Sequence, residues 1–174
     1  MLPTGELIVW SIADGRRGRR WREVASLDGR VVRSVLLETN PAGRLTRLEV
    51  AAAAGLLTLH PDAGETALHG NVVMPAGIRH LTFAGTSLMV QGSPAATAIA
   101  VARVADGIEV GATMQADMIG IDDRLEPRVR AWAISRIEPR TWRLVELSAT
   151  EEVVVRLDED SLPILAGEVW PLEI

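Results

Sequence analysis

The chain of 174 residues has no cysteine, no lysine and no tyrosine, and Phe83 is its single phenylalanine. Without cysteine there is no disulfide, no thiolate metal site and no cysteine nucleophile. Without lysine every basic residue is an arginine. Beside abundant Ala, Gly, Val and Leu, this reads as the codon bias of a GC-rich genome rather than as selection for phosphate-binding guanidinium groups. The net charge of −5 argues against a general nucleic-acid binder. No apolar run is long enough to span a bilayer. The opening residues Met1-Leu2-Pro3-Thr4-Gly5-Glu6 lack the charged and apolar regions of a signal peptide, so the expected compartment is cytoplasmic. No cofactor-binding motif is present, and none is expected.

What is present is short apolar alternation cut by turn residues. Glu6–Ile12, Trp21–Leu27, Val31–Glu38, Arg44–Val50, Gly55–His60, Glu65–Met74, Gly77–Phe83 and Ser87–Gln91 read as strands. So do Pro94–Val104, Ile108–Met114, Asp117–Ile121, Val129–Ile137, Arg140–Leu147, Glu151–Asp158 and Leu162–Leu172. Period-2 alternation places Trp21, Glu23, Ala25 and Leu27 on one face of their strand. Asp28-Gly29 between two such runs is a hairpin signal, since both central residues of a type I′ turn need positive φ. The chain thus reads as all-β, about twelve strands in one strongly curved antiparallel sheet. Closure into a barrel or half-barrel would remove exposed edges. No helix of ordinary length is evident, and no composition break divides the chain, so a single β-barrel-like domain over residues 1–174 is expected.

Several groups are chemical candidates. His60, His69 and His80, with Asp62 and Glu65 nearby, are the residue types of a metal site, but their spacing matches no zinc motif, so a structural role is preferred and no metal is assigned. Ser87 and Ser93 reach His80 only if their strands pair suitably, and no nucleophile elbow is present. Asp122-Asp123 and Glu151-Glu152 are neighbours in sequence, but adjacent residues of a strand point to opposite faces. The Arg16–Arg22 cluster offers forked bonds to a phosphate or an acidic head, although charged hairpin tips are common. Arg103, Arg130 and Arg136 interrupt apolar alternation, and any that points inward needs an acidic partner. Trp10, Trp21, Trp132, Trp142 and Trp170 serve either as large core pieces or as walls for an acyl chain or a sugar face.

Parts of the chain resemble a bacterial glycolipid-binding family. Thr46-Arg47-Leu48-Glu49-Val50 stands where that family has a Thr-Arg strand. The run from Ser93-Pro94 to Val104 stands where it has a Thr-Pro segment, and Val155–Leu162 is similar to its closing strand and acidic turn. The resemblance spans residues 44 to 172. Pro94, Ile99, Val101 and Arg103 correspond; an Asn and an Arg of the family fall on Thr97 and Ala102, and its Gly-Cys and acidic pair are missing here. The resemblance implies a half-barrel similar to lipoprotein carriers, holding a lipid or glycolipid against a curved sheet. Pro94, Thr97, Ile99, Val101 and Arg103 are then expected to bind ligand, with Arg103 or Thr97 meeting the polar head, and Trp132 joins them from the tryptophans read as possible walls.

Three readings follow. The first is non-catalytic binding of an amphipathic ligand, glycolipid or fatty-acyl-like. The second is an interaction domain that forms a homodimer through sheet faces or edges. The third, least favoured, is a hydrolase or isomerase using His80 or the His60–His69 region.

Overall fold

A computed structural model describes residues 5–104, 107–148 and 152–165. The fold is all-β with curved sheets. Seven strands follow one another as an antiparallel meander: β1 (Leu7–Gly15), β2 (Gly18–Leu27), β3 (Arg30–Thr39), β4 (Leu45–Ala52), β5 (Gly55–Pro61), β6 (Ala67–Met74) and β7 (Gly77–Ala84). Among the described residues β1 and β7 pair only with β2 and β6, so the sheet is not closed into a barrel. A second sheet has the order β13-β12-β11-β10-β9-β8. Its strands are β8 (Leu88–Val90), β9 (Thr113–Ile121), β10 (Arg128–Glu138), β11 (Thr141–Glu146), β12 (Glu152–Leu157) and β13 (Pro163–Leu165). The expected strand Leu162–Leu172 is thus seen only as β13; the rest of it, with Trp170, lies outside the described residues.

The meander follows from local sequence. The β2–β3 turn has positive φ at both Asp28 (50°) and Gly29 (74°), as a two-residue primed turn requires. Its register sets which residues enter the core. Trp21, Val35, Leu37, Leu48, Val50, Leu57, Leu59, Leu68 and Val72 are all buried on one face, alternating with residues of the other. Each buried Leu contributes roughly 2 kcal/mol of hydrophobic stabilisation. A register shift at Ala25/Ser26 breaks the alternation near the end of β2, so Leu27 is exposed rather than sharing the core face of Trp21, Glu23 and Ala25.

One segment departs from the strand reading. Pro94–Val104 is not a strand but an α-helix, α1. Alternating small and branched residues imitate strand periodicity, but stronger signals were present. Ser93 caps the helix, its Oγ accepting the Ala96 N–H at 3.2 Å. Pro94 takes the first helical position, where no N–H is needed. Ala95, Ala96, Ala98, Ala100 and Ala102 have the highest helix propensity, and Arg103 stands in the last turn, where a cation suits the dipole. The helix also answers a topological need. β8 and β9 are parallel, and parallel neighbours require a crossover connection.

α1 is the joint between the sheets. Its Ala95 and Ala96 join the cluster of Trp21, Leu37 and Leu48, which also takes Leu88, Val90, Ile119 and Ile121 from the second sheet. Its Ala98, Ala100 and Val101 pack with Met118, Trp132, Ile134, Trp142 and Leu144. Small side chains let the helix backbone approach both layers.

Candidate functional site

Two features flank α1: a buried polar network at its N-terminus and a cavity along its later turns. The network starts from Glu23 on β2, only 3% exposed. Its carboxylate accepts the Ser93 Oγ–H and, at 2.6 Å, the Ala95 N–H. Glu23 therefore caps the helix from across the core, satisfying a donor that the first turn leaves free. Burial pushes the Glu23 carboxyl up to about 7, against the lowering effects of these two hydrogen bonds and of the Arg33 charge. Desolvation wins because little water reaches the group. Arg33, itself buried, pairs with Asp123 at 2.6 Å and with Glu6 at 3.6 Å, and donates to the Gly92 carbonyl at 3.3 Å. These contacts tie the loops before α1 and after β9 to the first sheet.

Ser93 beside a carboxylate has the form of a nucleophile and base. Yet Ser93 and Glu23 are both buried, and neither lines the cavity described next. Their role here is capping. His80 is not near them in the sheet order: it is exposed on β7, a strand of the first sheet, whereas Ser93 follows β8 in the second. His60 and His69 are direct cross-strand partners. Among the described residues, no group of three His, Asp or Glu side chains is placed to hold a metal ion. The paired carboxylates also separate. Asp122 accepts the Arg124 and Glu126 N–H groups in a turn, Asp123 pairs with Arg33, and Glu152 pairs with Arg143 at 2.8 Å. Glu151 lies outside the described residues.

The cavity, of about 390 Å³, lies between the β1–β2 hairpin tip, the β3–β4 turn and the later turns of α1. Trp21, Ala98, Ile99 and Ala102 give it an apolar side; Asp14, Arg19, Asn40 and Ser161 give it a polar one. Arg19 is held in place. It bonds Asp14 at 2.7 Å and the Asp160 carbonyl at 2.7 Å, and its guanidinium lies 5.8 Å from the centre of the Trp21 ring. Trp10 packs on the same ring at 5.6 Å. The Trp21 Nε1–H is buried without a partner among the described residues.

Of the six residues expected to bind ligand, the structure brings Ile99 alone to this cavity. Pro94, Thr97, Val101 and Trp132 are buried in the packing around α1, and Arg103 is exposed at its end. The Thr97 hydroxyl donates to the Ser93 carbonyl at 2.9 Å. Among the strand arginines, Arg130 pairs with the buried Glu146 at 2.8 Å, and Arg136 lies 5.1 Å from the centre of the Trp142 ring. Sequence reasoning had Arg19 in the charged tip cluster and Trp21 among the candidate walls, but it did not bring them together with Ile99, because nothing in a strand pattern shows where a helix will leave a gap.

The fold and cavity thus define an all-β protein of curved sheets, a crossover helix joining them and a half-apolar hollow at one end. The chain is similar to the crystal structure of a DUF1089 family protein from Pseudomonas aeruginosa, with a TM-score of 0.70 and 17% sequence identity. The likeness covers 96% of this chain and 92% of that one, and at this identity it concerns the fold alone. No family model and no curated protein matches the chain. No helix among the described residues is long and apolar enough to cross a membrane.

Proposed function

We propose that this chain binds an amphipathic ligand, glycolipid or fatty-acyl-like, without chemically transforming it. The observation that carries the reading is the cavity of about 390 Å³ with one apolar and one polar side. Its size falls within the roughly 300–1,000 Å³ of small-molecule sites, and its two-sided wall suits a ligand with a chain and a head. The resemblance of residues 44 to 172 to a glycolipid-binding family supports the same reading. Affinity would come mainly from chain burial, at about 0.8 kcal/mol per methylene. Titration with fatty acids of increasing length, followed by native mass spectrometry, tests it. Affinity should rise roughly fourfold per added methylene until the cavity is full, and Ile99→Trp, which intrudes on the apolar side of the cavity, should weaken binding. Absence of any adduct, or an adduct unaffected by Ile99→Trp, would refute the reading.

A second reading, pairing of two copies through the sheet face turned away from the core, is favoured by one observation. Val9, Val24, Ser34, Ala51, Leu56, Val73 and Ile78 are successive cross-strand partners. They form one row across all seven strands, with Val9 58% and Ile78 65% exposed. Covering such a row suits a second copy of the same sheet. Sedimentation should then show a dimer that Val24→Glu dissociates; a monomer at all concentrations rules it out.

A further inference from the structure

On the other side of the hairpin tip lies a second cavity, of about 790 Å³. It shares Asp14, Gly15, Gly18, Arg19 and Thr39 with the first. Its lining is basic: Arg16, Arg17, Arg19, Arg20 and Arg47 stand against two carboxylates, Asp14 and Glu38. The carboxylates are already engaged, Asp14 by Arg19 and Glu38 by Arg20 at 2.6 Å. Arg47 is paired with Glu49, yet its buried Nε–H has no partner among the described residues. Arg16 and Arg17 are exposed and have no ion-pair partner among the described residues. The wall therefore carries a surplus of positive charge with unused donors, in a protein that is acidic as a whole.

From this arrangement we infer that Arg16 and Arg17 form the head-group site of an anionic amphiphile, one whose head carries phosphate. The inference rests on the amphiphile reading of the first cavity and names the class of ligand that reading leaves open. Two free guanidinium groups supply forked, charge-assisted donors that match phosphate oxygens. A neutral sugar head would leave their charge unanswered. The hairpin tip between the two cavities has Gly15 and Gly18, without side chains, on either side of Arg16 and Arg17. A ligand with its chain against Ile99 can therefore turn its head over the tip toward them.

The test compares three probes on the full chain by calorimetry: a lysophosphatidate, the monoacylglycerol of the same chain length, and glycerol 3-phosphate. The lysophosphatidate should bind about tenfold or more tighter than the monoacylglycerol. The double variant Arg16→Gln/Arg17→Gln should erase that preference while leaving the monoacylglycerol affinity unchanged, and 0.5 M salt should weaken only the lysophosphatidate. Both side chains are exposed, so an unchanged melting temperature checks that the variant is folded. Equal affinity for the two lipids, or a preference that survives in the double variant, overturns the head-group assignment and leaves the amphiphile reading standing. Binding of glycerol 3-phosphate with neither lipid makes this a site for free phosphate esters, and overturns both the amphiphile inference and the reading beneath it. Failure of all three removes both.

Discussion

Replacing Glu23 with Gln should remove a pH dependence of stability that one residue creates. The Glu23 carboxyl is pushed from an ordinary 4.5 to about 7 by burial. Below about pH 4.5 it is protonated in both the folded and unfolded chain and costs nothing. Between there and about pH 7 the folded chain keeps a proton that the unfolded chain has released, so stability falls as pH rises. Above pH 7 both are ionised, and the folded state bears the full cost of a buried charge. At about 1.4 kcal/mol per pH unit the cost is roughly 3 kcal/mol. In Glu23→Gln the side-chain carbonyl still accepts the Ala95 N–H, and its amide can donate to Ser93 Oγ, so the helix keeps its cap without the charge. The assay is urea unfolding of both proteins at pH 5 and pH 8. Other titrating groups affect both chains alike, so the difference between the two pH dependences isolates Glu23. Part of that cost is already present at pH 5, so the natural chain should lose roughly 2.5 kcal/mol more than the variant, about 1.2 M in urea midpoint at an m-value near 2 kcal/mol/M. The same pH dependence in both would refute the claim that desolvation outweighs the hydrogen bonds and the Arg33 charge at this site.

Three further outcomes are expected. Ser93→Ala removes the helix cap and a donor to Glu23, and should cost about 1 kcal/mol at pH 5 and more at pH 8, where the ionised carboxylate has lost a partner; paired denaturation curves measure both. Glu146→Ala leaves the half-buried Arg130 without its acidic partner and should cost roughly 1–2 kcal/mol, read as a fall in urea midpoint. Gly18→Ala should destabilise by roughly 2 kcal/mol or more. Its Cβ would lie 1.9 Å from the Thr39 carbonyl oxygen, at a φ of +117°, so thermal melting should show a clear loss.

The meander was legible because its signals are local. Asp28-Gly29 set the β2–β3 hairpin, and alternation marks Val31–Glu38 and Arg44–Val50 as strands, which β3 and β4 are. α1 was not legible through alternation. Pro94–Val104 contains five alanines, and small residues at every second or third place satisfy a strand pattern as readily as a helix one. The deciding signals were the cap and Pro94 at the first position. The polar network left a trace too. Glu23 stands on the same face as Trp21 and Ala25, and Arg33 on the same face as Val35 and Leu37. A charge on a buried face requires a partner, but sequence does not say that the partner lies about seventy to ninety residues on, at Ser93 and Asp123. The cavity was illegible for another reason. It is the space left where a hairpin tip, a turn and a helix fail to meet, and no residue type encodes that.

Position, rather than composition, separates the arginines. A chain whose every basic residue is arginine gives no compositional reason to suspect a phosphate site, because codon bias explains the whole set. The structure sorts them by what each guanidinium already holds. Arg33 and Arg130 are committed to Asp123 and Glu146, Arg136 to the Ile108 and Pro139 carbonyls, and Arg19 to Asp14 and the Asp160 carbonyl. Each of these is consumed by the fold, and its replacement would report on stability. Among the described residues Arg16 and Arg17 hold nothing comparable, and they stand beside carboxylates that other arginines already neutralise. Two adjacent cations gain nothing from each other at such a tip; their mutual repulsion is relieved by an anion that approaches both. That is why the pair Arg16→Gln/Arg17→Gln should leave melting unchanged or slightly raised while altering which amphiphiles bind, the reverse of what Glu146→Ala should do.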